Sequence, residues 1–261
     1  MLFPHSFVGM SLEKLRIVGY MYKNKKILLI APAYNEAQKI EEVAKKIPYG
    51  IVDTFLVVSD GSTDDTAEVS EAEGARVLRH EKRMGVGIAI RNGYKIAQEE
   101  GYDIAVVIAG NNKDDPNEIT RLLDPICDDD YDFVMGSRYL DGGKFGGDMP
   151  LYRVFATKYV HPFIVNLFCN RKVTESSNGY RALKVSVLND PRINLNQKWL
   201  KDYQLEMYIL MRILMLDFKC TEVPVSKIYP PREIGNTKMT PIIGWWKMVY
   251  PILLVGLGIR K

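Results

Sequence analysis

An apolar run, Val57-Val58-Ser59, stops at Asp60-Gly61 and passes into Ser62-Thr63-Asp64-Asp65-Thr66, a turn dense in hydroxyls and carboxylates. Such a segment cannot continue a buried strand. Thr63 or Asp64 can instead cap a helix, which Gly74 would end. The same order of events flanks it. Upstream, the run over 26–31 ends in Ala31-Pro32-Ala33-Tyr34-Asn35-Glu36, and residues 36–47 carry Ile40, Val43, Ala44 and Ile47 at helical spacing before Pro48. Downstream, 75–79 reads as a strand, 87–100 as a helix and 104–109 as a buried strand. A helix then opens at Pro116, and 133–136 reads as a fifth strand. Strands alternating with helices over short connections predict an α/β fold, a mostly parallel sheet with helices on both faces. Such sheets bind ligands beyond the carboxyl ends of their strands, which is where the polar turns fall.

The remainder is less regular. A Gly-rich loop is expected over 144–148, a long apolar helix over 151–168, a strand over 178–183, a helix over 203–216 and a strand over 218–225. Residues 1–24 read as an extension with a helix over 11–22. Residues 25–240 read as one domain of two halves, 25–136 and 137–240, and 241–261 as an apolar C-terminal segment.

Composition narrows the function classes. Lys and Arg number 35 against 32 Asp and Glu, a net charge of +3, which lacks the basic excess of a dedicated nucleic-acid binder. Cys127, Cys169 and Cys220 are too widely spaced for a zinc site or a disulfide framework, so a reducing cytoplasm is expected. His5, His80 and His161 show no metal-ligand spacing. No signal peptide or apolar run long enough to span a bilayer is read. The C-terminal segment, with Trp245-Trp246 and the terminal Arg260-Lys261, suits a membrane interface, or equally a helix packed on the domain or in a homo-oligomer.

Asn35, Glu36 and Asp60 are placed to give directional polar contacts to a bound ligand; the competing role for Asp60 and Asp64 is turn formation and capping. Gly85 and Gly87 would permit close approach of backbone to a ligand, and Arg91 faces either a phosphate or solvent.

Six segments then occur in order: PAYNE at 32–36, SDGSTDDT at 59–66, GVGIAIRNGY at 85–94, FVMGSRYLDGG at 133–143, SNGYRAL at 177–183 and EVPVSK at 222–227. With them the chain resembles family 2 glycosyltransferases of the GT-A fold. Within the family it is similar to the branch of dolichyl-phosphate mannose synthase and bacterial polyprenyl-phosphate sugar transferases. The resemblance implies a nucleotide-sugar donor, UDP- or GDP-linked, in the first half and a lipid phosphate or glycan acceptor in the second, with inversion at the sugar C1. It implies a donor set of Pro32, Tyr34, Glu36, Asp60, Gly85, Asn111, Arg232 and Lys238, the last two in an R-x-x-G-x-S-K-like segment with Thr237 in place of Ser. Arg138 and Arg153 match the two arginines that grip a lipid phosphate.

One departure stands out. The family has Asp-x-Asp after the fourth strand, with a Pro several residues later, and its carboxylates hold Mg²⁺ or Mn²⁺ on the diphosphate. Aligned on Pro116, those positions are Ala109 and Asn111. Three readings follow: Asn111 with Asp114 or Asp115 still holds a cation; Lys113 neutralises the diphosphate instead; or the site only binds. The catalytic set is therefore Arg138, Arg153, Asp115 and Lys113, with Asn111 and Asp115 as metal ligands. A phosphate acceptor needs no general base, whereas a hydroxyl would, from Asp141, Asp148 or Glu206. Two rivals are a sugar nucleotidyltransferase, which the absence of a basic Gly-rich loop after the first strand argues against, and a non-catalytic nucleotide-sugar binder.

Overall fold

A computed structural model describes residues 21–169, 171–230 and 241–261, with backbone alone over 241–243. The helix expected over 11–22 falls almost wholly outside them. So do Arg232, Thr237 and Lys238.

Nine strands are present among the described residues. Seven form one sheet in the order β3-β2-β1-β4-β7-β5-β8: β1 (Ile27–Ala33), β2 (Thr54–Asp60), β3 (Arg76–His80), β4 (Ile104–Val107), β5 (Phe133–Ser137), β7 (Arg181–Lys184) and β8 (Cys220–Pro224). All pairings are parallel except those of β7, which runs antiparallel between β4 and β5. Between the strands lie α1 (Ala37–Ala44), α2 (Thr66–Ala72), α3 (Val86–Glu99) and α4 (Ile119–Asp128), the last preceded by a 3₁₀ turn at Pro116–Glu118. This is the α/β sheet that the alternation predicts.

β1 extends through Pro32, further than expected, in register with Val58. Its pairing with β4 stops at Ile30 against Val107, so the imide falls where only one neighbour strand remains. Period-two alternation splits the core. Leu28, Ile30, Leu56 and Val58 face α3 and α7 (Gln204–Met215), while Ile27, Leu29, Phe55 and Val57 face α1 and α4.

The second half departs from expectation at the Gly-rich segment. Lys144–Gly147 is not a loop but β6, paired in parallel with β9 (Ser226–Tyr229) in a separate two-stranded sheet. The apolar helix over 151–168 is present in three pieces: α5 (Leu151–Phe155), a π-helical turn (Ala156–Val160) and α6 (His161–Phe168). The terminal helix α8 (Pro241–Gly256) buries Met248, Ile252 and Val255 against the core and leaves Trp246 exposed. Gly256 permits its contact with α6, since an added Cβ would lie 2.4 Å from the Phe168 ring. Among the described residues, no helix is long and apolar enough to cross a membrane.

Candidate active site

The carboxyl ends of β1, β2 and β4 open into a cavity of about 430 Å³, walled on its other side by α5, β9, α7 and α8. The β1 and β2 turns are built as one unit. Asn35, in the left-handed region at φ +50°, accepts from the Thr63 N–H at 2.8 Å, and its own N–H donates to Ser62 Oγ at 3.1 Å. The Ala37 N–H donates to Asp64 Oδ2 at 3.2 Å, so Asp64 serves the turn. Glu36 reaches the cavity with Lys39 at 2.8 Å, and Arg83 lies over the Tyr34 ring at 4.3 Å.

Asp60 ends β2 at the cavity wall and is only 4% exposed. Its Oδ1 accepts from the Met84 N–H at 2.8 Å and lies 2.8 Å from His80 Nδ1, while Oδ2 accepts from the Gly85 N–H at 2.8 Å. Gly85 has φ +111°, and a Cβ there would fall 2.5 Å from the Lys201 carbonyl oxygen. The close approach that Gly85 and Gly87 permit is therefore by the protein's own segment at 201–202. Neither glycine lines the cavity. Arg91 donates to the Leu195 carbonyl at 3.1 Å and faces no phosphate site.

The turn after β4 supplies Ala109, Gly110, Asn111 and Lys113 to the cavity. It is clamped to β9: the Ile228 N–H donates to the Lys113 carbonyl at 2.9 Å, and buried Asp114 pairs with Lys227 Nζ at 2.5 Å. Lys227 also donates to Asn178 Oδ1 at 3.0 Å. The Lys113 ammonium lies 4.4 Å from the Tyr229 ring centre. Burial, then the charges of Lys227 and Arg153, push its pKa down to about 8. Asn111 Oδ1 is buried with no hydrogen-bond partner among the described residues. Asp115, expected in the site, lies outside it. As the residue before Pro116 it caps the 3₁₀ turn, accepting from both the backbone and the side-chain nitrogen of Asn117 at 3.0 Å.

Arg138 does line the cavity, yet it is not a free phosphate fork. Its Nε and Nη2 both engage Glu175, which is fully buried, leaving Nη1 with only Met149 Sδ, at 3.8 Å, among the described residues. Burial opposes the guanidinium charge, and Glu175 more than offsets that, so the pKa is raised. Glu222 on β8 holds Glu175 in place by accepting from the Thr174 and Glu175 N–H groups at 2.7 and 2.9 Å. Arg153 lines the cavity from α5, and Thr157 from the π turn. Arg181 is buried and donates to the carbonyls of Ser176, Asn178 and Glu206, a structural role. Of the three acids considered as a base, Glu206 lines the cavity; Asp141 and Asp148 do not. Lys227, which stood in the EVPVSK segment, and Lys39, Arg83 and Thr157 of the cavity wall were given no role from the sequence, and neither was Glu175, which holds Arg138.

The description Glycosyl transferase family 2 matches residues 28–190, more than half of the chain. The chain belongs to this family. It is thus a glycosyltransferase, and its sheet is that of the GT-A fold. Over 252 residues it is 29% identical to a UDP-N-acetylglucosamine–dolichyl-phosphate N-acetylglucosaminyltransferase of Methanococcus voltae, covering 90% of this chain and 98% of that protein. It is 26% identical to a polyprenol monophosphomannose synthase of Mycolicibacterium smegmatis, covering 83% and 82%. Among solved structures, glucosyl-3-phosphoglycerate synthase from Mycobacterium tuberculosis, in complex with Mn²⁺, UDP and phosphoglyceric acid, superposes with a TM-score of 0.64 at 23% identity, covering 97% of this chain and 84% of that one.

Structures of this neighbour hold Mn²⁺ or Mg²⁺ with UDP, so a divalent cation accompanies the nucleotide in that enzyme of the same fold. The donor set here does not fit such an ion. Ala109 offers no ligand, Asn111 one neutral oxygen, Asp114 is committed to Lys227 and Asp115 to Asn117. Among the described residues, no group of three or more His, Cys, Asp or Glu could hold a metal.

Proposed function

We propose that this glycosyltransferase moves a hexose from a UDP- or GDP-sugar to a polyprenyl phosphate at the cytoplasmic face of a membrane. The observation that carries the reading is the cavity's position between two chemistries. On one side stand the polar ends of β1 and β2, with Glu36 and Asp60 placed for a nucleoside. On the other, Arg153 and Thr157 project from the long helix whose opposite side is bare and apolar. Leu151 is 86% exposed, Phe155 61%, Tyr159 55%, Phe163 68% and Leu167 68%, a largely apolar ridge of residues four apart along the helix. Trp246 of α8 is likewise exposed, at 59%. A ridge of this kind suits the interfacial layer of a bilayer, and it would bring a lipid-borne phosphate to Arg153. The activities of the two relatives, on dolichyl phosphate and polyprenol, support the same acceptor class.

A phosphate monoester is already anionic near neutral pH. It can attack the sugar C1 from the side opposite the leaving diphosphate, so inversion follows and no general base is required. Catalysis then reduces to alignment and to stabilising the departing charge. The test uses the full chain with labelled UDP-N-acetylglucosamine, UDP-glucose or GDP-mannose and either dolichyl or undecaprenyl phosphate in vesicles. Label is expected in the organic phase with one donor. Label only in a water-soluble product, with phosphoglyceric acid or a glycan as acceptor, would overturn the lipid reading.

A further inference from the structure

Resting on that donor-site reading, we infer that Lys113 does here the work of a divalent cation: its ammonium, beside Lys227 and Arg153, binds the donor diphosphate and stabilises it as it leaves, without metal.

The position comes first. The segment from Ala109 to Lys113 follows β4 into the cavity, and it carries no carboxylate before Asp114. Asp114 turns away to neutralise Lys227. What the segment does present is a lysine. Among the described residues that line the cavity, Lys39, Arg138, Lys227 and Lys247 each face a carboxylate, and Arg83 stacks on Tyr34. Lys113 has no carboxylate partner among the described residues, only the face of Tyr229. An ammonium that is half-buried and touches no carboxylate is costly, and the cost is relieved when an anion enters.

Lys113 is also held rigidly. The Ile228 N–H holds the Lys113 carbonyl, and Asp114 holds Lys227 across the same pair of residues, so the two ammonium groups are carried by one hydrogen-bonded unit. Asn112 takes the left-handed conformation, φ +55°, in the turn that leads from β4 to Lys113. Charge that is positioned before the reaction needs no reorganisation as the diphosphate departs. A dication in the same place would meet Lys113, Lys227 and Arg153 with a single neutral amide oxygen, from Asn111, to hold it.

The chemistry balances without a further reactant. The acceptor phosphate oxygen forms the bond to C1, the bond from C1 to the diphosphate oxygen breaks, and the electron pair leaves on the diphosphate facing Lys113.

Binding of UDP, GDP and inorganic pyrophosphate to the full chain, measured by calorimetry in EDTA and again in Mn²⁺, tests this. Equal affinity in the two conditions is expected. Lys113→Ala is expected to weaken binding roughly tenfold to a hundredfold, with no rescue by Mn²⁺, while Lys113→Arg keeps it; a melting curve on each variant checks folding. The triple variant Ala109→Asp, Asn111→Asp, Lys113→Gln should gain Mn²⁺-dependent binding. Wild-type binding that vanishes in EDTA and returns with Mn²⁺ would overturn the inference and leave the proposed donor site standing. Failure of all three probes in both conditions would overturn both.

Discussion

The two ends of the cavity are held by different kinds of bond. At the β1–β2 end, the Asp60 carboxylate is fixed by His80, the last residue of β3, and by the backbone N–H groups of Met84 and Gly85 in the segment that follows. The two backbone N–H groups hold it there without cancelling its charge. At the far end, the side chains are fixed by ion pairs between distant segments, Arg138 with Glu175 and Lys227 with Asp114. Those pairs fix geometry and cancel charge together. A sequence rich in arginine and lysine at this end thus overstates how positive the site is, and among the described residues it is Lys113 that no carboxylate contacts.

Breaking the far end should therefore cost most. Glu175→Ala leaves the Arg138 guanidinium buried and unpaired, and removing one partner of such a pair costs about 3–5 kcal/mol. Urea denaturation should show that loss, and Arg138→Met in the same chain should return much of it. A loss in Glu175→Ala below about 1 kcal/mol would mean that water reaches Arg138 and that the pair is not the lock described.

The histidines sharpen the same comparison. His80 lies within 2.8 Å of Asp60 and 2.9 Å of Asn92, whereas neither ring nitrogen of His161 has a hydrogen-bond partner among the described residues. His161 is 1% exposed, its ring centre 5.2 Å from that of Trp245. Burial pushes its pKa down from 6.5 to about 4. The unfolded chain then binds more protons than the folded one below pH 6.5, so stability falls as the pH drops through that value and the loss levels off below about 4. The expected cost is about 3 kcal/mol from this group. His161→Phe should flatten that part of the acid limb in melting curves taken between pH 7 and 4; an unchanged slope would assign it elsewhere.

Gly85→Ala probes the first end. Its φ of +111° and the Lys201 carbonyl at 2.5 Å from an added Cβ both oppose a side chain. A loss of roughly 2 kcal/mol is expected, with weaker nucleotide binding because the Gly85 N–H would leave Asp60. Lost stability with unchanged nucleotide affinity would detach Asp60 from the donor.

What could be read from the sequence follows the same division. β1 to β5 and their helices were readable because apolar runs of strand length end in polar turns within a few residues, a local signal. β7 was readable as a strand but not as antiparallel, since four residues, Arg181–Lys184, carry no mark of the direction in which they pair. β6 was hidden because glycine is poor in strands and its partner β9 lies far along the chain. Glu175 was hidden in a polar stretch, Ser176-Ser177-Asn178, that reads as a loop, and its partner is 37 residues away. Asp114 and Asp115 are adjacent acids before a proline. Which one turns inward is decided by Lys227 on β9, a residue that local pattern cannot connect to them.

The smallest effect is expected where the cavity meets α8. Lys247 Nζ lies 2.6 Å from Asp202, with the side chains 38% and 31% exposed. An ion pair that open to water is worth about 0–1 kcal/mol, so Lys247→Ala should leave the melting temperature almost unchanged, α8 being held by Met248, Ile252 and Val255. Both partners nevertheless line the cavity. The substitution should therefore show in kinetics, as a higher KM for the phosphate acceptor with little change for the nucleotide sugar. A change confined to the donor KM would place the acceptor elsewhere and reverse the assignment of the cavity's two ends. A drop in stability well beyond 1 kcal/mol would make this contact a lock of the buried kind, and the contrast between the two ends would then extend to the C-terminal helix.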